Sequence, residues 1–359
     1  MVTPTSLDPP SLLVSHIPPT VSSAAASRRR SLMLVFLAVG FCLGSLFSES
    51  VGLSTLADQA MTTLEPMFPA KQPEPFKLKR LPTFEEGGVV IFFHVAKTGG
   101  TSIRSIFSDR NLYPTVALET AYNATAFLGR AKLIDRILTK NTTRPIGNNV
   151  LFLETHGLNS PGMPFLHPYL KKWRRLAEEH GTSFFTFTLM RDPVAYAVSY
   201  FNFFNAEPCT LANCPWRLYE PTEGNLIHTT EANNQCLLQA RDHWGIFLMK
   251  NRTAPSQQEC TSVYETMRQD MDWMGTTEAM SYKTLPLLTY MLTHNVSQAN
   301  AALPAFNVVQ QTKVESKTLS SKHLRPTTVN YIRMLSSLDQ DNYERIQQEY
   351  TLDMWENVP

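Results

Sequence analysis

An apolar strand that runs through a glycine-rich turn into a helix is the feature that most constrains this chain. Residues Val89–Phe93 form an unbroken apolar run rich in β-branched and aromatic side chains, which is typical of a strand buried on both faces of a parallel sheet. The residues Lys-Thr-Gly-Gly-Thr-Ser follow at 97–102, and Ile103, Ile106 and Phe107 then recur at helical spacing. The pattern predicts an α/β fold with a central parallel sheet flanked by helices.

The turn between this strand and helix has the chemistry of an anion-binding loop. The first turn of a helix carries unpaired backbone N–H groups and a partial positive charge, and glycines let a phosphate approach the backbone. Lys97 adds a full charge, and Thr101 and Ser102 add hydroxyl donors. The lysine precedes the glycine pair, unlike in the pattern G-x-x-x-x-G-K-[ST], so ATP or GTP hydrolysis is disfavoured.

A second basic motif follows another predicted strand. Residues Phe184–Met190 run directly into Arg191-Asp192-Pro193. Proline is favourable at the first position of a helix, and Asp192 is a suitable N-cap. Ser199 lies eight residues after Arg191, so the guanidinium and the hydroxyl can both face the strand end.

These two motifs, in this order, resemble the 5′-phosphosulfate loop and the 3′-phosphate site of sulfotransferases that use 3′-phosphoadenosine 5′-phosphosulfate as donor. The segment 272–278 resembles the Gly-x-Thr-Glu segment of the glycosaminoglycan 2-O and 6-O branches, and 321–328 with 338–344 resemble the closing loop and last helix of the 2-O branch. The chain is thus similar to membrane-bound Golgi carbohydrate sulfotransferases, most of all the heparan sulfate and uronyl 2-O-sulfotransferases.

The resemblance implies a P-loop-like sulfotransferase fold and a set of donor-binding residues. Lys97 would also stabilise charge on the leaving phosphate, which makes it a catalytic residue. The implied donor-binding residues are Lys97, Thr98, Gly99, Gly100, Thr101, Ser102, Arg191, Ser199, Lys322 and Arg325.

A histidine is the predicted general base. The short apolar strand Val150–Leu153 ends in Glu154-Thr155-His156, and ligands of an open parallel sheet bind outside the carboxyl ends of its strands. Lys97, His156 and Arg191 should therefore converge on one crevice, where His156 can accept the acceptor's proton. In the 2-O-sulfotransferases a second histidine two residues later assists, and this chain has none there. His94, expected to pack beside the loop, and Glu154 are the rival bases. No metal is expected, since sulfuryl transfer requires none.

The N-terminal part has the composition of a membrane anchor and a stem. Residues 1–30 form a predicted cytoplasmic tail that ends in three arginines, and 31–47 form a charge-free apolar run. The positive-inside rule places the residues after this run in the lumen. We expect a signal anchor, with a cleaved signal peptide as the competing interpretation, then a proline-rich stem at 48–86 and a lumenal sulfotransferase domain at 87–359. The implied location is the Golgi membrane, as a single-pass type II protein.

The cysteines and sequons agree with a lumenal domain. Four cysteines lie beyond the apolar run, and an oxidising lumen would let them form two disulfides. Proximity in sequence favours Cys209 with Cys214 and Cys236 with Cys260, and no C-x-x-C pair supports a zinc site. Asn-x-Ser/Thr acceptor patterns occur at Asn123, Asn141, Asn251 and Asn295.

The expected function is therefore transfer of a sulfuryl group to a hydroxyl of a glycan, in a polysaccharide or glycoprotein. A net charge of +1 gives no support for nucleic acid binding. Two alternatives stay open: a catalytically inactive lumenal glycan-binding protein with the same fold, and a P-loop-type kinase. Further secondary structure is expected as a helix within 113–140, a proline-bounded loop at 161–168, a helix at 169–180 and a strand end at 272–278.

Overall fold

A parallel five-stranded sheet organises the part of the chain that the computed structural model describes, residues 79–140, 150–156, 162–206, 219–240, 254–293 and 318–356. The strand order is β3-β4-β2-β5-β6, and every pair is parallel. The strands are β1 Lys79–Arg80, β2 Gly88–Phe93, β3 Val116–Ala121, β4 Val150–Thr155, β5 Ser183–Met190, β6 Trp273–Thr276 and β7 Trp355–Glu356. β1 and β7 form a separate parallel pair.

Helices flank the sheet, so the predicted α/β class is confirmed. They are α1 Gly100–Phe107, α2 Ala124–Leu138, α3 Met163–His180, α4 Pro193–Tyr200, α5 Glu223–Thr229, α6 Asn234–Ala240, α7 Gln257–Asp270, α8 Leu285–Thr293, α9 Pro326–Leu335 and α10 Ser337–Glu349. Short π-helical turns occur at Phe201–Asn205 and Met280–Thr284, and 3₁₀ turns at Ser321–His323 and Leu352–Met354.

The centre of the core lies around β2, which is buried along its whole length. The ring of Phe92 stacks on that of Phe187 in β5, with 4.6 Å between centroids. In the register, Phe93 is paired with Thr155 on one side and with Thr188 on the other. The carboxyl ends of β2 and β4 are therefore level, and β5 extends two residues further to Met190.

The three predicted apolar strands are confirmed, as is the strand end expected at 272–278, where β6 lies, while two local expectations fail. β3 lies in a region where only a helix was expected; it is an edge strand with four partly buried residues, so its pattern lacks a fully buried run. The loop expected at 161–168 is wrong, because α3 begins at Met163. Pro164 lies in the first turn, where a missing N–H costs no helical hydrogen bond.

One of the two expected disulfides is confirmed. Cys236 in α6 is bonded to Cys260 in α7; Cys209 and Cys214 lie outside the described residues. Asn123, in one of the sequons, accepts a hydrogen bond from the Ala126 N–H and caps α2. The other three sequons lie outside the described residues.

No helix in the described residues is long and apolar enough to cross a bilayer. The predicted tail and anchor, and most of the predicted stem, lie outside those residues.

Candidate active site

The loop after β2 adopts an uncommon backbone conformation at its lysine. Lys97 has a φ of 71°, and Gly99, the N-cap of α1, has a φ of 99°. Left-handed φ values in residues other than glycine are uncommon and are found often at ligand-binding sites. The Lys97 Nζ atom lies 3.8 Å from the ring centroid of Phe203, in the π-helical turn after α4. The ring thus holds the lysine head group on the side of the loop where α4 lies.

Arg191 follows β5, and the side chain of Gln235 holds its backbone in place. Its N–H donates to Gln235 Oε1 at 2.9 Å, and its carbonyl accepts from Gln235 Nε2 at 2.8 Å. Asp192 caps α4 by accepting from the Ala195 N–H at 2.9 Å, as its position before Pro193 predicted. The clamp on the main chain fixes the point from which the Arg191 guanidinium projects.

The loops after β2 and β5 contact each other directly. Arg191 Nη1 donates to the Lys97 carbonyl at 3.2 Å. The chain leaves β2 toward β3 and leaves β5 toward β6, on opposite sides. The carboxyl ends of these neighbours thus form the topological switch point, the usual ligand crevice of an open α/β sheet. Thr277, just after β6, joins them by donating to the Thr98 carbonyl at 3.1 Å.

An acidic side chain balances the charge of Arg191. Glu278 Oε1 lies 4.0 Å from Arg191 Nε, and the same carboxylate accepts hydrogen bonds from the Asp192 N–H and the Tyr343 hydroxyl. Burial lowers the pKa of Arg191, and burial raises the pKa of Glu278. Both groups are partly desolvated, so an anion bound here would meet a guanidinium that water screens little.

His156 lies just past β4, beside the loop after β2. Its ring stacks on that of His94, with 4.1 Å between centroids. Its backbone N–H donates to the Ala121 carbonyl at the end of β3. The Tyr122 ring packs against the His156 ring in a T-shaped arrangement, with 5.9 Å between centroids. The sequence-predicted base is therefore one ring away from the loop that carries Lys97.

His94 supports the loop through a buried hydrogen-bond chain. The Gly100 N–H donates to its Nε2 at 3.1 Å, so the ring hydrogen is on Nδ1, which donates to Glu154 Oε1 at 2.7 Å. Burial raises the pKa of Glu154, while the charges of His156 and Arg104 and a hydrogen bond from Thr120 lower it in part. Because His94 uses both ring nitrogens and Glu154 is fully buried, His156 is the more accessible base.

Two backbone N–H groups of the loop, which were expected to be unpaired and available to a phosphate, already have partners within the protein. The N–H of Gly100 points to His94, and that of Ser102 bonds the Gly99 carbonyl. A side chain at Gly100 would lie 1.9 Å from the His94 ring, so this glycine is required by packing against the histidine.

His94, Glu154 and His156 are the group in the described chain whose ligand atoms lie close enough to hold a metal, all within 4.8 Å of one another. Both nitrogens of His94 already serve the Gly100 N–H and the Glu154 carboxylate. Metal binding through Nδ1 would move the ring hydrogen to Nε2, where it would oppose the Gly100 N–H. The residues present therefore fit a hydrogen-bond chain and do not fit a metal centre.

The remaining predicted residues lie on or beside α4. Ser199 is partly buried on that helix. The segment that carries Lys322 and Arg325 packs along it through Leu324, in a small apolar cluster with residues of α4. Lys322 is exposed, and Arg325 pairs with Glu223 at 3.1 Å. Among the described residues, no hydrogen bond or ion pair joins either of them to loop 97–102.

Three residues of this site were not predicted: Gln235, Glu278 as the partner of Arg191, and Tyr122. Gln235 lies next to Cys236, and no sequence pattern distinguishes it from other helical glutamines. Glu278 belongs to a segment that resembled the Gly-x-Thr-Glu pattern, which is a signal that could have identified it. No model of a known protein family matches this chain, and no curated protein shows significant similarity to it.

Proposed function

We propose that this protein is a sulfotransferase with a P-loop-like sulfotransferase fold, which moves a sulfuryl group from 3′-phosphoadenosine 5′-phosphosulfate to a glycan hydroxyl. The observation that carries the proposal is the contact between the loops after β2 and β5, where Arg191 Nη1 lies 3.2 Å from the Lys97 carbonyl. Two cationic residues distant in sequence thus meet at the topological switch point, where open α/β sheets usually bind their ligands, and a doubly phosphorylated nucleotide requires a cation at each end. The sequence motifs at the same two loops supply the choice of nucleotide.

The donor's chemistry is an activated sulfuryl group on a phosphate leaving group. The S–O bond to the phosphate breaks and a new S–O bond to the acceptor oxygen forms, which releases adenosine 3′,5′-bisphosphate. Lys97 would stabilise the charge on the 5′-phosphate, and Arg191, with Ser199, would bind the 3′-phosphate. His156 would take the proton of the acceptor hydroxyl, at the side of the crevice formed by β4. Positioning and electrostatics account for the catalysis, as in phosphoryl transfer.

The support for His156 is its place in a chain of contacts that leads to the loop. It stacks on His94, which binds both the Gly100 N–H and Glu154. A positive charge gained by His156 during transfer would be stabilised by the nearby Glu154 carboxylate. The protein would be located in the Golgi membrane, as a type II protein anchored by residues 31–47. Its acceptor glycan would then be lumenal.

A glycan-binding protein that lacks activity is the second candidate. Both ring nitrogens of His94 are engaged in hydrogen bonds, so His94 cannot assist proton transfer and His156 would have to act alone. This observation favours the inactive protein. A P-loop-type kinase is the third candidate; it would need Mg²⁺ and ATP, and the position of Lys97 before Gly99 disfavours it.

Transfer of ³⁵S from labelled donor to a panel of desulfated polysaccharides tests the proposal. The full chain should label at least one of them without added Mg²⁺. His156→Ala should abolish labelling and keep adenosine 3′,5′-bisphosphate binding, because its ring lies on the β4 side of the crevice. Turnover of His156→Ala at the wild-type rate would refute the base assignment. ATP hydrolysis dependent on Mg²⁺ would favour the kinase, and binding of nucleotide and glycan without transfer would favour the inactive protein.

A further inference from the structure

The geometry points to Tyr122 as the platform on which the acceptor sugar ring stacks, an inference that rests on the proposed function. Tyr122 directly follows β3, at the same sheet edge as the other site residues. It is 51% exposed, whereas His156 beside it is partly buried and His94 is buried. This ring therefore offers an apolar face to a ligand directly beside the candidate base.

The strand order separates the donor from this tyrosine. Lys97 and Arg191 follow β2 and β5, while His156 and Tyr122 follow β4 and β3, on the other side of β2. Neighbouring strands are about 4.8 Å apart, so β3 lies roughly 10 Å from β2. A nucleotide held between Lys97 and Arg191 would occupy the β2–β5 side, which leaves the β4–β3 side for the acceptor.

The ring is held in a fixed orientation by its two neighbours. The Tyr122 hydroxyl accepts a hydrogen bond from Arg104 Nη1 at 3.1 Å, and Arg104 Nε lies 3.4 Å from Glu154 Oε2. The ring also makes a T-shaped contact with the His156 ring. Contacts at both the hydroxyl and the ring keep Tyr122 in place while it stays half exposed to solvent, so binding a ligand costs little entropy for ordering this side chain.

A pyranose fits this surface by its chemistry. One face of a sugar ring presents C–H groups, which can cover an aromatic ring, while its hydroxyls project from the rim. The centroids of Tyr122 and His156 are 5.9 Å apart, so a hydroxyl on the rim of a stacked sugar comes within hydrogen-bonding reach of the imidazole. Tyr122 would then determine which sugar, and which of its hydroxyls, is presented to the base.

The test compares Tyr122→Ala and Tyr122→Phe with Tyr331→Ala, which removes another exposed tyrosine, from α9. The KM for a desulfated polysaccharide that the wild type sulfates is measured, together with the Kd for adenosine 3′,5′-bisphosphate. Tyr122→Ala should raise the acceptor KM about tenfold, because the sugar can no longer cover an apolar ring, and leave the nucleotide Kd unchanged. Tyr122→Phe keeps the ring and should stay within about twofold of the wild type, as should Tyr331→Ala.

Four results would overturn the inference. An unchanged acceptor KM in an active Tyr122→Ala variant would remove Tyr122 from the acceptor site and leave the proposed function intact. If Tyr122→Ala weakened nucleotide binding by the same factor as it raised the acceptor KM, the ring would be assigned to the adenine. A loss in Tyr122→Phe as large as in Tyr122→Ala would assign the contact to the hydroxyl. If the wild type neither binds the nucleotide nor transfers sulfate, the proposed function fails, and this inference fails with it.

Discussion

Replacing Gln235 with leucine should release Arg191 from its backbone clamp. Gln235 is fully buried, and its side chain makes hydrogen bonds to both the N–H and the carbonyl of Arg191. Leucine has a similar size and keeps the apolar contacts of α6. It cannot hydrogen-bond, so the variant isolates the loss of the clamp.

The size of the effect follows from the groups left unpaired. The Arg191 N–H and carbonyl would each lose a partner in a partly buried site, at a cost of about 1–3 kcal/mol each. We therefore expect the free energy of unfolding to fall by about 2–6 kcal/mol. A displaced guanidinium would also lose charge-assisted hydrogen bonds to a phosphate, so nucleotide affinity should fall by about tenfold or more.

The same helix supplies a matched control. Gln239 lies one turn further along α6 and is also fully buried, yet its side-chain amide has no hydrogen-bond partner within the described ranges. Gln239→Leu removes the same polar group from the same helix without touching Arg191. Its stability should match or exceed that of the wild type, since it removes an unpaired buried amide.

Urea unfolding without reductant, followed by circular dichroism, measures the first effect. Titration calorimetry with adenosine 3′,5′-bisphosphate measures the second. Equal stability and equal affinity of the two leucine variants would refute the clamp. A similar loss of stability in both would show that α6 needs polar residues for another reason.

Two further predictions concern the buried polar groups. His94→Ala removes the partner of Glu154 Oε1 and of the Gly100 N–H, while Thr120 and Arg104 stay on Oε2, and it should cost about 2–4 kcal/mol of unfolding free energy; a urea midpoint equal to that of the wild type would contradict it. Burial raises the pKa of Asp339 from 3.8 to about 7, so the folded state holds a proton that the unfolded state releases. The contribution of Asp339 to stability is then fully present below about pH 4 and is lost as the pH rises through about 7, by at most about 4 kcal/mol. Asp339→Asn should lose this pH dependence of the unfolding free energy. Urea unfolding of both proteins at pH 5 and pH 8 measures it, and a difference between the two pH values as large in the variant as in the wild type would contradict the prediction.

The sheet was predictable where single strands carry the information. Val89–Phe93 and Phe184–Met190 are buried on both faces, so their apolar runs indicate strands without any knowledge of their neighbours. β3 is an edge strand, and its residues Glu119 and Thr120 are only partly buried, which leaves no such run. The start of α3 was missed because a proline in a first helical turn looks the same in sequence as a proline in a loop.

The charged residues of the site were predictable from the sequence, but the residues that hold them in place were not. Lys97 and Arg191 are indicated by glycines, a proline cap and the strands before them, all of which are local. Gln235 reaches Arg191 across 44 positions of sequence, and Glu154 reaches His94 across 60. Such contacts depend on how strands are ordered in the sheet, and strand order is not encoded in any local pattern.

Calorimetric titration of the full chain with adenosine 3′,5′-bisphosphate tests the central claim most directly. The wild type should bind, and Lys97→Ala and Arg191→Ala should each weaken binding by at least about tenfold, because each removes a charged contact to a different phosphate. Arg175→Ala removes a positive charge from an exposed face of α3 and should bind like the wild type. Absence of binding to the wild type, or an equal loss in all three variants, would contradict the account.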